Sequence, residues 1–526
     1  MADRPRALRA VWLALRSRRT AAVGLLSFSS GLPLGLVWIA IPTWLAREGV
    51  DIKIIGLFTL AQAPWSFKFL WSPLIDRYHL PITRLGHKLG WTLLWQVALL
   101  LATLALGGVA THPEVMWMIG ALTLAIAFAS ASQDIAIDAY AVEVLRPEEQ
   151  GIAVGARIAI YRAAMFVAGG LTITLAGLWS WSVMFCVVAA LYLPMMAITW
   201  LAPTPHVDTT REPRSLRAAA WEPLLGFLAR QRAVELLAFL IFYKLADNLA
   251  GALVRPFLVQ VGFNDFDVGV ATASIGLGAT LTGTFLGGTL TTVLGLGNAL
   301  WLFGIVQLLS NFGYVLVAML GVNRWAMYGA MGFESLATGM AAGAFSVLLL
   351  RMTQKQYSAT QYALFSSLFA LPRILAGPVT GVMVDALGWR DFFLFTILVG
   401  IPGLLLLQRI SPLGLREPDL EALASAPARA LGKPAIIVRA LGGGLFAFAL
   451  AALSVATLEA FASMHHRPGT GFQLVSPLIS VFQPHEIGDW IELLGVTIFA
   501  VLAGLAVAAI GVARARQTPQ NSKPIS

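Results

Sequence analysis

Apolar stretches of about 20 residues, the length a helix needs to cross a roughly 30 Å hydrocarbon core, recur along this chain from Ala21 to Gly511. Backbone groups in lipid have no water to bind, so each stretch must satisfy its own hydrogen bonds as a helix. Composition agrees: 58% of the 526 residues are hydrophobic and 12% charged, against about 25% charged in a soluble chain. The expectation is an all-α polytopic membrane protein with the lipid bilayer as its solvent. The single cysteine, Cys186, rules out a disulfide framework and a cysteine zinc site, and no H-E-x-x-H is present, so no metal site is expected. A net charge of +9 would suggest nucleic acid for a soluble chain, but here the basic residues are first placed relative to the membrane, and no nucleic-acid partner is expected.

Fourteen spans can be drawn: 21–44, 54–72, 91–110, 115–142, 152–177, 181–201, 233–259, 267–293, 297–320, 325–350, 357–385, 390–409, 435–460 and 489–512. Arg4, Arg6, Arg9, Arg16, Arg18 and Arg19 precede the first, which is followed by no small-residue cleavage site and reads as a retained helix. With that start inside, 25 Lys and Arg fall on the inner side and only Arg47, Lys53, Arg324, Arg390 and Arg467 outside. The positive-inside rule then places both termini in the cytoplasm.

The longest polar stretch between the early spans, residues 203–232, divides twelve spans into two sixes. Gly169, Trp181, Phe185 and Pro194 recur as Gly377, Trp389, Phe393 and Pro402, each shifted by 208 residues. Gly49 and Gly56 are spaced as Gly262 and Gly269 are. This suggests a duplicated bundle, as many transporters have: an N-terminal six-helix bundle over 1–202, a cytoplasmic linker over 203–232 and a C-terminal six-helix bundle over 233–411. Residues 412–526 have no counterpart in the first half. They add a linker, two C-terminal transmembrane helices around a polar segment from Ser463 to Gly488, and a cytoplasmic tail. Gly-x-x-x-Gly pairs at Gly31/Gly35, Gly151/Gly155, Gly283/Gly287, Gly339/Gly343 and Gly377/Gly381 read as close helix packing.

Charged residues inside spans cost about 2.5–3.5 kcal/mol each at the helix centre, so each calls for a reason. Arg162, Lys244, Asp247, Glu334 and Arg373 fall near the midplane; Lys68, Asp134, Asp138 and Arg157 fall in the cytoplasmic half. Asp134 and Asp138 share a helix face, as do Lys244 and Asp247. Nine such groups cannot all face lipid, and they imply a polar path between the halves. Lys244 with Asp247 also reads as a structural ion pair, and Arg157 as a snorkelling cation. Two carboxylates on one low-dielectric face raise each other's affinity for protons, which makes Asp138, with Asp134 as its partner, the candidate for proton coupling and Asp247 and Glu334 its rivals. Asp76 and Arg77, after Pro73, read as a gate between helices. Trp44 and Trp71 read as interfacial belt residues; Trp38 and Trp65 lie deeper, where an indole could stack on a sugar.

There is no G-x-x-x-x-G-K-[ST], so nucleotide hydrolysis by that route is excluded, and no G-x-S-x-G supports an enzyme. Ion gradients remain as the energy source, and no cofactor is called for. An integral-membrane transferase could also use buried Asp and Arg, but two pseudo-symmetric halves serve alternating access and not such an enzyme.

Several stretches resemble the major facilitator superfamily and, more closely, the bacterial anhydromuropeptide permease (AmpG-type) family: Ser30-Gly-Leu-Pro-Leu34, Phe67-Lys-Phe-Leu-Trp-Ser-Pro-Leu74 with Asp76-Arg-Tyr78, Ser130-Ala-Ser-Gln-Asp-Ile135 with Asp138-Ala139, Tyr161-Arg162, Tyr243-Lys244 with Asp247, Phe333-Glu334, and Ser358-Ala-Thr-Gln361. The resemblance covers residues 20–410. It implies a major facilitator fold in the bacterial inner membrane and proton symport of GlcNAc-anhydroMurNAc peptides into the cytoplasm for peptidoglycan recycling. In some bacteria that flux feeds β-lactamase induction. It departs in its thinned basic run (Arg84, His87, Lys88) and in the 463–488 segment. Lys68, Gln133, Arg162, Lys244 and Arg373, with Tyr161 and Trp38, are the expected substrate contacts for a large anionic sugar peptide. Acetyl-coenzyme A, another anionic solute carried within the superfamily, is the alternative cargo.

Overall fold

The computed structural model describes residues 13, 14, 16–50, 58–80, 85–110, 116–205, 227, 233–418, 433–466 and 472–483, with single positions between 490 and 511. Every regular element among them is helical, and eleven helices are long and apolar enough to cross a membrane. The order is α1 (Arg18–Arg47), the short α2 (Ala63–Phe67) and α3 (Ser72–Arg77), α4 (His87–Val109), α5 (Met116–Val144), α6 (Pro147–Ala176) and α7 (Trp181–Leu201). After the linker come α8 (Glu235–Val261), α9 (Phe266–Leu294), α10 (Leu296–Leu320), α11 (Arg324–Met352), α12 (Ser358–Ile410), α13 (Lys433–His466) and α14 (Val475–Phe482).

The expected second span is not one helix. Pro64 and Pro73 stand in the first turns of α2 and α3, where a missing N–H costs nothing, and between them Lys68–Leu70 tightens into a 3-10 turn. Broken backbone at membrane depth is tolerated where protein encloses it. The expected eleventh and twelfth spans join as α12, whose one non-helical residue, Gly388 at φ 75°, marks the turn between passes. Of the two added spans, α13 is a 34-residue helix, while 489–512 lies largely outside the described residues. The polar segment before it contains the short helix α14.

The 208-residue repeat has a physical counterpart. Trp181 and Phe185 at the start of α7 pack on Trp44 near the end of α1, with ring centroids 6.5 and 5.4 Å away. Trp389 and Phe393 pack on Phe257 near the end of α8 at 5.1 and 4.9 Å. Gly49 (φ 76°) and Gly262 (φ 105°) close the two helices in the left-handed conformation that favours glycine. Trp44 is therefore fully buried in an aromatic cluster and is not a membrane-belt residue.

Four of the Gly-x-x-x-Gly pairs bring backbones together. Gly31 and Gly35 of α1 meet α6, and Gly283 and Gly287 of α9 meet Gly339 and Gly343 of α11, each within one bundle. The pair Gly151/Gly155 differs, because it meets Gly288 and Phe285 of α9 across the two bundles. This crossing lies on the face from which the linker leaves. There one apolar cluster mixes residues of both bundles, Tyr140 and Ile137 with Phe345 and Leu348, and the linker residue Phe227 packs 4.7 Å from Phe365. Toward the opposite face the clusters separate: one holds Trp44, Leu106 and Phe185 of the first bundle, another Phe257, Tyr314 and Phe393 of the second. The molecule is closed at the linker face.

A side chain at Gly151 would strike Gly288 and Thr292, and overpacking costs about 1–3 kcal/mol. Gly151→Val should accordingly open the linker face about tenfold more often. A Ser358→Cys thiol, labelled by an impermeant maleimide from that face, should then react faster by the same factor. An unchanged labelling rate would mean that this crossing does not hold the linker face closed.

Candidate functional site

In the first bundle, Lys68 sits in the 3-10 turn between the two proline-started helices, and its ammonium donates to Asp138 Oδ2 at 3.0 Å. Arg157 of α6 ion-pairs with Asp138 Oδ1. Asp138, 3% exposed, thus has one cation on each oxygen, and Tyr362 of α12, from the other bundle, lies in the neighbourhood of Arg157. Asp134 lies one turn away on α5, close to Ser30 and with its Oδ1 buried outside any hydrogen bond. Arg157 is engaged in this triad and does not snorkel to the surface.

In the second bundle, Lys244 Nζ donates to Asp247 Oδ2 and to Gln307 Oε1, both at 3.2 Å. The expected i,i+3 pair is therefore real, and it continues into a chain of hydroxyl groups. Thr338 Oγ1 lies 2.7 Å from Asp247 Oδ1 and 2.9 Å from Glu334 Oε1. Tyr314 donates to Glu334 Oε2 at 3.1 Å. No cation among the described residues lies within ion-pair distance of Glu334. Beside the pair is a cavity of about 20 Å³, lined in part by Tyr243, Asp247, Gln307 and Asn311, room for about one water.

Asp76 joins the bundles. Its Oδ1 accepts from the Ala359 N–H at 3.1 Å, and its Oδ2 from the Thr360 N–H at 2.8 Å and the Thr360 hydroxyl at 2.7 Å. These N–H groups belong to the first turn of α12, which has no partner for them inside the helix. Tyr357, at the N-cap position, makes no side-chain cap bond, so a carboxylate from the other bundle caps the helix. Lys88 Nζ pairs with Asp76 Oδ1 at 2.5 Å and lies 4.0 Å from Glu143, which accepts from the Ser358 hydroxyl at 2.6 Å. A second tie runs from Arg351 of α11 to Gln150 of α6, and Arg351 also pairs with Glu417 beyond α12. Arg77, named with Asp76 from the sequence, instead lies over the Tyr78 ring at 5.8 Å.

The remaining expected contacts have the following surroundings. Gln133 is fully buried inside the first bundle, where its amide donates to Ser29, itself reached by Gln96, which accepts from Thr199. It braces that bundle from within. Trp38, in the π-turn Leu36–Ala40 of α1, meets Trp65 edge-on at 6.1 Å, and both are half-buried. Tyr161 and Arg162 are half-buried on α6. Arg373 lies on the helical backbone of α12, with its side chain outside the described set.

Sequence reasoning missed Lys88, Glu143, Ser358 and Thr360 in the lock, and Tyr314 and Thr338 in the second cluster. Thr338 had a signal: it stands four residues after Glu334, one turn along the same face. Lys88 was hidden among the inner-side basic residues that orient the chain.

The Major Facilitator Superfamily matches residues 23–377. The anhydromuropeptide permease of Escherichia coli K12 is 42% identical over 391 residues, covering 74% of this chain and 79% of its own. The putative transporter AmpG 4 of Rickettsia conorii is 31% identical over 403 residues, covering 75% and 96%. Among solved structures, the human organic anion transporter MFSD10 superposes with a TM-score of 0.59 at 16% identity, covering 74% and 99%. FucP, a major facilitator transporter in its outward conformation, does so with 0.58 at 12%, covering 74% and 98%. At those identities the two structures speak for the fold alone. A multi-pass, two-bundle helical protein with these relatives is a transporter and not an enzyme: the chain belongs to the major facilitator superfamily and, within it, to the anhydromuropeptide permease family.

Proposed function

We propose that this protein carries anhydromuropeptides together with protons from periplasm to cytoplasm across the bacterial inner membrane, by alternating access between bundles spanning 1–202 and 233–411. The observation that supports it most is the 42% identity over 391 residues to a permease of that name. The positive-inside asymmetry makes the linker face cytoplasmic, so the closed linker face corresponds to an outward-facing state. An anionic sugar peptide suits the available groups: Arg162, Lys244 and Arg373 for carboxylates, Tyr161 and Trp38 with Trp65 for sugar rings. Lys68 holds Asp138, and Gln133 acts through Ser29 on the shape of the first bundle. The coupling proton rides on one of the buried carboxylates Asp134, Asp138, Asp247 or Glu334. Peptidoglycan recycling, and with it β-lactamase induction where a host has that circuit, would follow from this import.

Uptake of labelled anhydromuropeptide into vesicles should rise with an inward proton gradient and resist competition by acetyl-coenzyme A. Efficient competition would turn the reading to the alternative cargo. Lys244→Ala and Arg373→Ala should each abolish uptake, by 100-fold or about 3 kcal/mol if one charged hydrogen bond is lost, with folded protein still in the membrane. Normal uptake by both variants would remove these residues from the site.

Asp76→Ala removes the cross-bundle cap, a loss of about 2 kcal/mol, which is roughly a 30-fold shift toward the inward-facing state. The larger cost of stranding a buried charge, about 3–5 kcal/mol, is avoided because Glu143 still faces Lys88. Spin-label distances across the linker face should report the shift. Unchanged distances with lost substrate binding would place Asp76 in the binding site instead.

A further inference from the structure

A hydroxyl carries one hydrogen and can donate it once. Thr338 Oγ1 stands within hydrogen-bond distance of two carboxylate oxygens, Asp247 Oδ1 at 2.7 Å and Glu334 Oε1 at 2.9 Å. The other oxygen of each acid has its own donor: Lys244 serves Asp247 Oδ2, and Tyr314 serves Glu334 Oε2. That leaves a row of three oxygens with two short gaps and one threonine hydrogen. If both acids were ionised, one gap would set a hydroxyl lone pair against a carboxylate in a low-dielectric bundle, where an unsatisfied contact is costly. A second hydrogen, on one of the carboxyl groups, fills the row.

We infer that Glu334, Thr338 and Asp247 form one proton-binding site, in which Thr338 holds a single proton shared between the two acids. The inference rests on the proton-coupled reading above and names where in that cycle the proton sits. Asp138 offers a contrast, since a proton there would point at the ammonium of Lys68 or the guanidinium of Arg157. The charged or titratable groups nearest the row are Lys244, Tyr243 and Asp247 of α8 and Tyr314 of α10. The elements packed against α11 also carry Asp267 of α9 in its pair with Arg324, Asp134, Asp138, Tyr140 and Glu143 of α5, Glu148, Glu149, Arg157, Tyr161 and Arg162 of α6, and Tyr362 and Arg373 of α12. Among these, Lys244 is the cation that pairs with Asp247.

That pairing supplies the coupling. When a substrate carboxylate takes Lys244, Asp247 loses its counter-ion. The Glu334 Oε1–H bond then breaks as its hydrogen passes to Thr338 Oγ1, while the threonine hydrogen passes to Asp247 Oδ1. Asp247 ends neutral and Glu334 negative, with no net change of atoms or charge. Thr338 is a positioning residue in this step, since it conducts the proton and keeps none.

The test uses the full-length protein in vesicles, with labelled anhydromuropeptide uptake measured against pH, and the infrared stretch of protonated carboxyl groups in the same samples. Thr338→Val should move the pH midpoint of uptake by about one unit, tenfold in proton affinity, and shift the carboxyl band; Thr338→Ser should restore both. Glu334→Gln should remove the band. An unmoved midpoint and band in Thr338→Val, or failure of Thr338→Ser to restore them, would overturn the inference. If Thr338→Val does not fold, a band that persists in both Glu334→Gln and Asp247→Asn overturns it equally. Wild-type uptake indifferent to the proton gradient would instead overturn the transport reading, while the band would still report the shared proton.

Discussion

The first turn of a helix exposes N–H groups with no partner inside the helix, and α12 begins where the two bundles meet. Asp76, at the end of the broken second span, supplies the missing acceptors for Ala359 and Thr360. The positive end of a helix and a carboxylate attract, so the contact is strong when made and leaves two buried groups unsatisfied when broken. Much else at the linker face follows from it. Lys88 compensates the charge of Asp76, Glu143 holds Ser358, and the Gly151–Gly288 crossing lets the backbones come close enough for the cap to form. With the bundles joined here, the apolar clusters toward the other face stay separate. The closed linker face and the parted opposite face are two results of one contact.

Each bundle carries a buried ionic cluster, and the two are built differently. In the first, two cations clamp one carboxylate, a second, Asp134, lies one turn away, and Tyr362 of the second bundle is in the neighbourhood of the clamp. Such a triad is sensitive to rocking, because Lys68 belongs to the proline-broken span that also carries Asp76. In the second, one cation serves two acids, and hydroxyl groups supply the remaining bonds. Counting Asp134, the first cluster is balanced, while the second has one acid more than it has cations among the described residues.

Much of this was legible in the sequence. Span lengths, the two sixes and the aromatic repeat rest on local periodicity, which helices preserve; the pairing of Lys244 with Asp247 rests on helical spacing. The breaks in the second span were signalled by Pro64 and Pro73 but not read, because its hydropathy alone suggested one helix. The cap by Asp76 could not be read at all, since it joins residues nearly 300 positions apart through backbone N–H groups that carry no sequence signature. The setting of Gln133 could not be read for a related reason: its motif marks a position on α5, but only the packing of Ser29, Gln96 and Thr199 shows that its amide faces into its own bundle. Glycine spacing likewise announced close packing without showing that Gly151/Gly155 pack across the bundles.

If an acid of one bundle holds a helix of the other and lets go during transport, the two amides involved report it. Hydrogen exchange at Ala359 and Thr360 should be slow in the protein alone and accelerate when anhydromuropeptide and an inward proton gradient drive the cycle. Amides in the middle of α10 should stay protected throughout. If the Ala359 and Thr360 amides exchange at the same rate with and without a driven cycle, the cap is not the moving contact and the account fails.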